Sequence, residues 1–461
     1  MKHLRTMLFV VGGLICDVVA PHGAIAQIVG GQFAATGSDT ASRLFHAAGT
    51  LPDGWVMVSG GLGVSGFPPA LFSRNQIAFY NPHTGTFSAS YPPINGGAAA
   101  TPTLATPRSS HTQTTLRSGV VLITGGDVGA AGTNPGTPTS SVELFDPFTG
   151  VRRSGPPMNT PRSAHTATLL RDGRVLVAGA ASCQIFDPAS ETWSAAVALQ
   201  RTRVAHAAAL LPDDAGSIGD RVLLVGGAGS GPATLELVTL GPLATQLSAA
   251  TLAVGVDDVA ATRLIDDRVL IVGGQNVATG DTVATASLYD AQTDTITPLA
   301  PVPNRSGGIA DHQLIRFGRY VAIFGGEQQL AGTDTILRYA AIFDGLSHAW
   351  IADGQMLNPH DDFAAAPLGD CRALLIGGGV PLLGQEFPSA NCETFEITLS
   401  GACVPGDVDN DGDVDAGDLR DFGDCMTGPG GGPVYFRCWP ADADADDDVD
   451  LLDFSSIQRG V

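Results

Sequence analysis

Two twelve-residue stretches near the C-terminus set aspartates at alternate positions. In the first, Asp407, Asp409 and Asp411 fall at positions 1, 3 and 5, Gly412 at 6, Asp413 at 7, Asp415 at 9 and Asp418 at 12. A calcium loop has this order. It takes carboxylates at 1, 3, 5 and 12, a backbone carbonyl at 7, a direct or water-mediated contact at 9, and glycine at the sharp turn. Charge alone does not require the apolar Val414 at position 8, nor Leu419 and Phe422 just after, where residues 419–426 read as a helix. Asp442, Asp444, Asp446, Asp448, Asp450 and Asp453 repeat the spacing, with Asp447 replacing the glycine. Aspartate adopts a left-handed backbone less readily than glycine, so the second site should be weaker or less regular. Calcium is therefore the expected cofactor. Without it the clustered carboxylates should repel one another and unfold the segment.

Elsewhere the groupings that do chemistry are sparse. Glycoside hydrolysis needs two facing carboxylates, and Asp257, Asp258, Asp361, Asp362 and Glu327 are acidic residues near strand connections. No serine or cysteine nucleophile constellation and no Cys-x-x-Cys appears. No catalytic residue is assigned.

The elements that must carry these residues are short strands. Residues 161–193 hold four runs: an alternating run ending at Arg171-Asp172-Gly173, an apolar run ending at Gly179, a run closed by Asp187-Pro188, and one led by Trp193. Four such runs make a small antiparallel sheet, which needs neighbours to bury its faces. Apolar runs ending in glycine recur at residues 56–61, 120–126, 174–179, 221–227, 268–274, 320–326 and 373–378. Their spacing of roughly 50 residues is that of kelch repeats.

The chain resembles the kelch family over about residues 30 to 400. His46, His111, His165, His206 and His312 open first strands. Tyr80-Asn81-Pro82, Phe145-Asp146-Pro147 and Phe186-Asp187-Pro188 make the later turn, and Phe87, Trp193 and Trp350 are the aromatics of fourth strands. The resemblance implies an all-β, seven-bladed β-propeller over residues 27–400. The seventh repeat lacks a fourth strand, and Phe33 precedes His46 as Trp193 precedes His206. Residues 32–36 should therefore close the ring on residues 393–399 and leave few strand edges exposed. Some kelch propellers are copper radical oxidases similar to galactose oxidase, but no Tyr-His dipeptide occurs here and the recurrent histidines read as structural.

Most of the long loops, at residues 62–75, 127–139, 275–285, 327–335 and 380–391, join second to third strands; residues 91–109 join a fourth strand to the next first. Both connections emerge on one face of a propeller, which should carry binding residues. Phe67, Phe72, Arg74, Tyr91, Asn95, Gln275, Asn276, Glu327, Gln328, Gln329 and Glu386 are the loop side chains with binding potential.

The net charge of −22 argues against nucleic acid. Residues 401–461 contribute 15 Asp against 3 Arg, which marks a separate acidic module. Residues 1–26 read as a secretory signal: Lys2 and Arg5, an apolar core over 7–15, and Ala24-Ile25-Ala26 before Gln27. No other run is long enough for a membrane helix, so the protein is expected to be secreted, extracellular or at the cell surface. Six cysteines follow that segment, and disulfides are expected. Cys371–Cys392 would tie adjacent strands of the last blade, and Cys425–Cys438 would close the linker between the acidic loops. Cys183 and Cys403 stay unassigned.

The acidic loops, each followed by one helix, resemble a type I dockerin, a small α-helical module over residues 401–461. The resemblance implies calcium-dependent docking onto a cohesin-like scaffold or surface protein. The Ser/Thr pair usual at positions 10 and 11 is here Ala416-Gly417 and Leu451-Leu452, a departure at the docking surface. Two functions follow as expectations. One is a secreted, non-catalytic propeller binding a polysaccharide or protein and anchored by its calcium module. The other is a carbohydrate-active enzyme, a polysaccharide hydrolase or oxidase, on the same scaffold.

Overall fold

A computed structural model describes residues 25–65, 70–129, 136–211, 221–229, 231–369, 371–382, 385–400 and 402. The twelve candidate calcium ligands, the expected helical module apart from residue 402, residues 1–24 of the expected signal segment, Phe67, Cys403 and the Cys425–Cys438 pair lie outside them.

The described chain is a seven-bladed β-propeller. Blade 1 runs outward through Ala47–Thr50, Val56–Ser59, Ile77–Asn81 and Thr86–Ser88. Blades 2, 4, 5 and 6 repeat this order, beginning at Thr112–Thr115, Ala207–Leu210, Ala260–Arg263 and Gln313–Phe317. First strands of successive blades lie side by side and close a circle about the axis. Second strands are buried along their whole length at Val56–Ser59, Val121–Thr124, Val269–Val272 and Tyr320–Phe324. This explains why they read as continuous apolar runs rather than alternating ones.

Blade 3 departs from the pattern. Its second and third runs form one unbroken element, Val175–Asp187, paired to Thr166–Leu169 and to the short Thr192–Trp193. The diglycine of other blades is Gly179-Ala180 here, and Ala180 takes the left-handed backbone at φ 54°.

The ring closes as its residues required. Gly31–Ala35 pairs with Cys392–Ile397, and Phe33 lies opposite Phe395. Phe33 is 0% exposed, with its ring 4.9 Å from Phe395 and 6.0 Å from Phe324. Ile25–Ile28 adds a fifth strand outside it. Aromatics on fourth strands pair with those on third strands, as in Tyr80–Phe87 at 4.9 Å, Phe186–Trp193 at 5.0 Å and Phe343–Trp350 at 5.2 Å.

One expected disulfide is absent. Cys392 is a free buried thiol, as is Cys183, while Cys371 is disulfide-bonded. Cys392 lies opposite Ile376, whereas the Cys371 carbonyl accepts from Ile397 N. The two cysteines sit at opposite ends of one antiparallel pair, separated by about five residues of strand, or ~16 Å. A disulfide spans less than about 7 Å between Cα atoms.

Candidate functional site at the propeller axis

One residue per blade, just before the first strand, lines the axis with a left-handed backbone. These are Phe45, Ser110, Ala164, Ala205, Asp258, Asp311 and Asp362, with φ between 45° and 54°. The turn aims each N–H at the preceding blade's carbonyl. Ser110 N donates to Phe45 O (2.8 Å), Ala164 N to Ser110 O (3.0 Å), Ala205 N to Ala164 O (2.9 Å) and Asp258 N to Ala205 O (2.9 Å). Asp311 N donates to Asp258 O (3.3 Å), and Phe45 N to Asp362 O (3.0 Å). Among the described residues, the step from Asp311 O to Asp362 N is the one without a hydrogen bond.

The histidines next to this ring are spacers between blades. A Cβ on Gly60 would lie 2.5 Å from Arg108 O and 2.7 Å from His111 Cε1; on Gly125 it would lie 2.5 Å from Arg162 O and 2.7 Å from His165 Cε1. The diglycines, at φ 62° in both cases, are thus needed for conformation and for space. Burial holds His46, His165, His206 and His312 neutral, with pKa values pushed down to about 3. Among the described residues, none of them belongs to a group of three side chains close enough to hold one metal ion.

Two residues before the ring position, blades 1 to 4 carry Arg43, Arg108, Arg162 and Arg203, each at most 1% exposed. Their Nη1 atoms donate to Gly60 O (2.8 Å), Gly125 O (2.8 Å), Gly179 O (3.3 Å) and Gly226 O (2.6 Å). Asp39, Glu143 and Glu236 pair with Arg43, Arg108 and Arg203. In blade 7 His360 takes the arginine's place, with Nδ1 2.6 Å from Gly377 O and Nε2 3.0 Å from Glu393 Oε1. Blades 5 and 6 have Val256 and Ile309 instead. Arginine therefore disappears from the three consecutive blades whose ring residues are aspartates.

The result is a lopsided axis. Asp311, Asp361 and Asp362 each offer a carboxylate oxygen, all within 4.8 Å of one another. Burial first, and then Asp257, raises Asp258 to about 7. Burial and neighbouring acids also push Asp311, Asp361 and Asp362 well above the usual carboxylate range. Glu327 rises to about 8 through burial, then Asp334, Glu386 and Asp258; Glu386 rises to about 7 through burial, then Asp334. Among the described residues, no arginine or histidine forms an ion pair with Asp258, Asp311, Asp361, Asp362 or Glu386.

The long loops rise from this ring on one face. Leu62–Ser65 with Ala70–Ser73, Asp127–Val128 with Thr137–Pro138, Glu327–Leu330 with Thr333–Ile336, and Gly379–Leu382 with Gln385–Pro388 are antiparallel hairpins. Their bases bond to residues beside the ring: Leu44 faces Leu62, Ser109 faces Asp127, Ala310 faces Glu327, and Gly379 N donates to Asp361 O at 2.6 Å. Glu327 and Glu386 are thereby carried to the axial acids.

The acidic residues picked from the sequence thus meet at the axis, apart from the tail loops. Asp311 was missed, although its place just before His312 is that of Asp362 before Phe363. Tyr91 is not a binding residue. It is 0% exposed, stacked on Phe79 at 4.8 Å, and donates to Asp53 at 2.7 Å. Gln275 and Gln329 are buried and hydrogen-bonded to each other. Arg74 lies over Phe72 at 4.9 Å on the blade 1 hairpin and donates to Ser42 O.

No protein-family model matches the chain, and no curated protein matches it. Among solved structures, the structure of YjhT matches with 13% identity and a TM-score of 0.46, covering 69% of this chain and 99% of YjhT.

Proposed function

We propose that the protein is a secreted, non-catalytic binding protein of the kelch type. Its hairpin face recognises a polysaccharide or protein, and a dockerin-like, calcium-dependent tail anchors it to a cohesin-like scaffold or surface protein. The observation that carries the binding role is the set of hairpins seated around one end of the axis. They form a rigid-based rim over an acidic mouth, which suits neutral or basic ligands and disfavours polyanions. The export and anchoring parts rest on the residue patterns of the two chain ends.

The acids at the mouth support binding over hydrolysis. The trio's oxygens lie within 4.8 Å of one another, below the ~5–5.5 Å of a retaining carboxylate pair and the ~6.5–9.5 Å of an inverting one. A second reading, a carbohydrate-active enzyme, draws on Glu327, which is held protonated near neutral pH as a general acid would be. A glycan and protein array probed with the calcium-loaded full chain separates them. Retention of one ligand class without released product supports binding; product release that Glu327→Gln abolishes rejects it. Calcium titration of Asp407→Ala/Asp442→Ala against the parent tests the tail, and unchanged stoichiometry removes the anchor.

A further inference from the structure

We propose that Asp311, Asp361 and Asp362 form a divalent-cation site on the propeller axis, of the calcium class and separate from the acidic loops of the tail. It does not depend on what the hairpin face binds. Two neighbouring ring aspartates and the aspartate that precedes one of them prove nothing alone, since acidic clusters are common. The second observation is an orphan atom. Asp361 is 3% exposed, and its Oδ1 has no hydrogen-bond partner. At this same point the ring of backbone hydrogen bonds is open, since none joins Asp362 N to Asp311 O. Glu386 adds a second buried oxygen without a partner, Oε1, from the hairpin based at Asp361. A buried acceptor left unpaired costs stability, and acceptor-only groups facing one another need something positive between them.

Protons answer that need in part. A cation answers it for the trio, and the repeat shows where one belongs. In blades 1 to 4 a buried guanidinium stands two residues before the ring position; in blades 5 and 6 that place is Val256 and Ile309, and in blade 7 His360 is already held between Gly377 O and Glu393. The positive charge built into one side of the wheel is missing where the acids collect.

The ligand set selects the ion. All the donors are oxygens and none is sulfur or imidazole, which points to calcium or magnesium rather than zinc or copper. Magnesium dehydrates reluctantly and is seldom held by an all-protein cage, so calcium is the better match for three side-chain carboxylates whose oxygens lie within 4.8 Å of one another.

The test uses the full chain. Calcium bound per chain is measured by equilibrium dialysis and metal analysis for the parent, for Asp361→Asn, and for Asp407→Ala/Asp442→Ala. The propeller's melting transition is followed with and without calcium. Asp361→Asn should lose one calcium per chain, and should melt no lower than the parent without calcium, because a repelling buried charge is gone. Its calcium-induced melting shift should vanish. The tail variant should keep both the axial ion and that shift. Equal stoichiometry in parent and Asp361→Asn overturns the site. So does a calcium-dependent shift that survives Asp361→Asn, or one lost only in the tail variant.

Discussion

Arg203 offers the sharpest test of how the blades are held. Its Nη1 donates to Gly226 O at 2.6 Å and Thr234 O at 3.0 Å, and its Nη2 to Thr234 Oγ1 at 3.0 Å. Glu236 Oε2 lies 3.2 Å from both Nε and Nη2, and Oε1 accepts from Gln200 N at 2.6 Å. Arg203 is 1% and Glu236 0% exposed. Arg203→Val leaves a carboxylate without its countercharge in the interior, plus two carbonyls short of a donor. Losing one partner of a buried pair costs about 3–5 kcal/mol. With an unfolding entropy of ~2.1 cal/mol/K per residue over roughly 370 residues, the melting temperature should fall by about 4–6 °C. Adding Glu236→Ser removes the stranded charge. It also reproduces blade 5, where Val256 and Ser287 occupy the two positions. The double variant should therefore be more stable than Arg203→Val alone, by at least ~1 kcal/mol. Calorimetry and urea unfolding of the three proteins measure this. If Arg203→Val costs under about 1 kcal/mol, or if Glu236→Ser deepens the loss, the pair is not the clamp described.

Two further outcomes are expected. Phe33→Ala empties a fully buried site in the closing strand and should cost ~3–5 kcal/mol; limited proteolysis should then cut the N-terminal strands first, and unchanged protease resistance would refute their role in closure. His206 stays neutral in the folded state down to about pH 3, because of burial and then Arg203 and Arg162, while in the unfolded chain it protonates near 6.5. Protons therefore favour unfolding, and this histidine's contribution to stability is lost as pH falls from 6.5 towards 3. His206→Phe, which copies Phe363 of blade 7, should flatten the stability–pH curve by up to about 1.4 kcal/mol per pH unit over that window. Identical slopes for parent and variant, from urea unfolding at pH 5 and 7.5, would be the contrary result.

Much of the wheel was legible because its determinants are local and repeated. Apolar runs, diglycines and Phe33 each report strand, turn or closure through contacts that any blade must make. The departures were harder to read. The Cys371–Cys392 expectation rested on adjacent strands of the last blade, but antiparallel register puts those residues at opposite strand ends. Tyr91 sits in a long connection and looked available, yet its ring fills the core between blades 1 and 2. The axial acids were visible one at a time as residues near loops, with nothing to say that they face one another.

The sequence by itself determined the number of blades, their strand pattern and the pairing of the chain's two ends, because each follows from hydrophobic period, turn chemistry and repeat. Only the tertiary structure decided that Asp258, Asp311 and Asp362, each about fifty residues from the next, share one mouth. Ring closure brings first strands from distant repeats to a common axis. There charges meet that have no local reason to avoid each other, and burial turns their meeting into carboxyl groups that hold their protons more tightly and a demand for a cation.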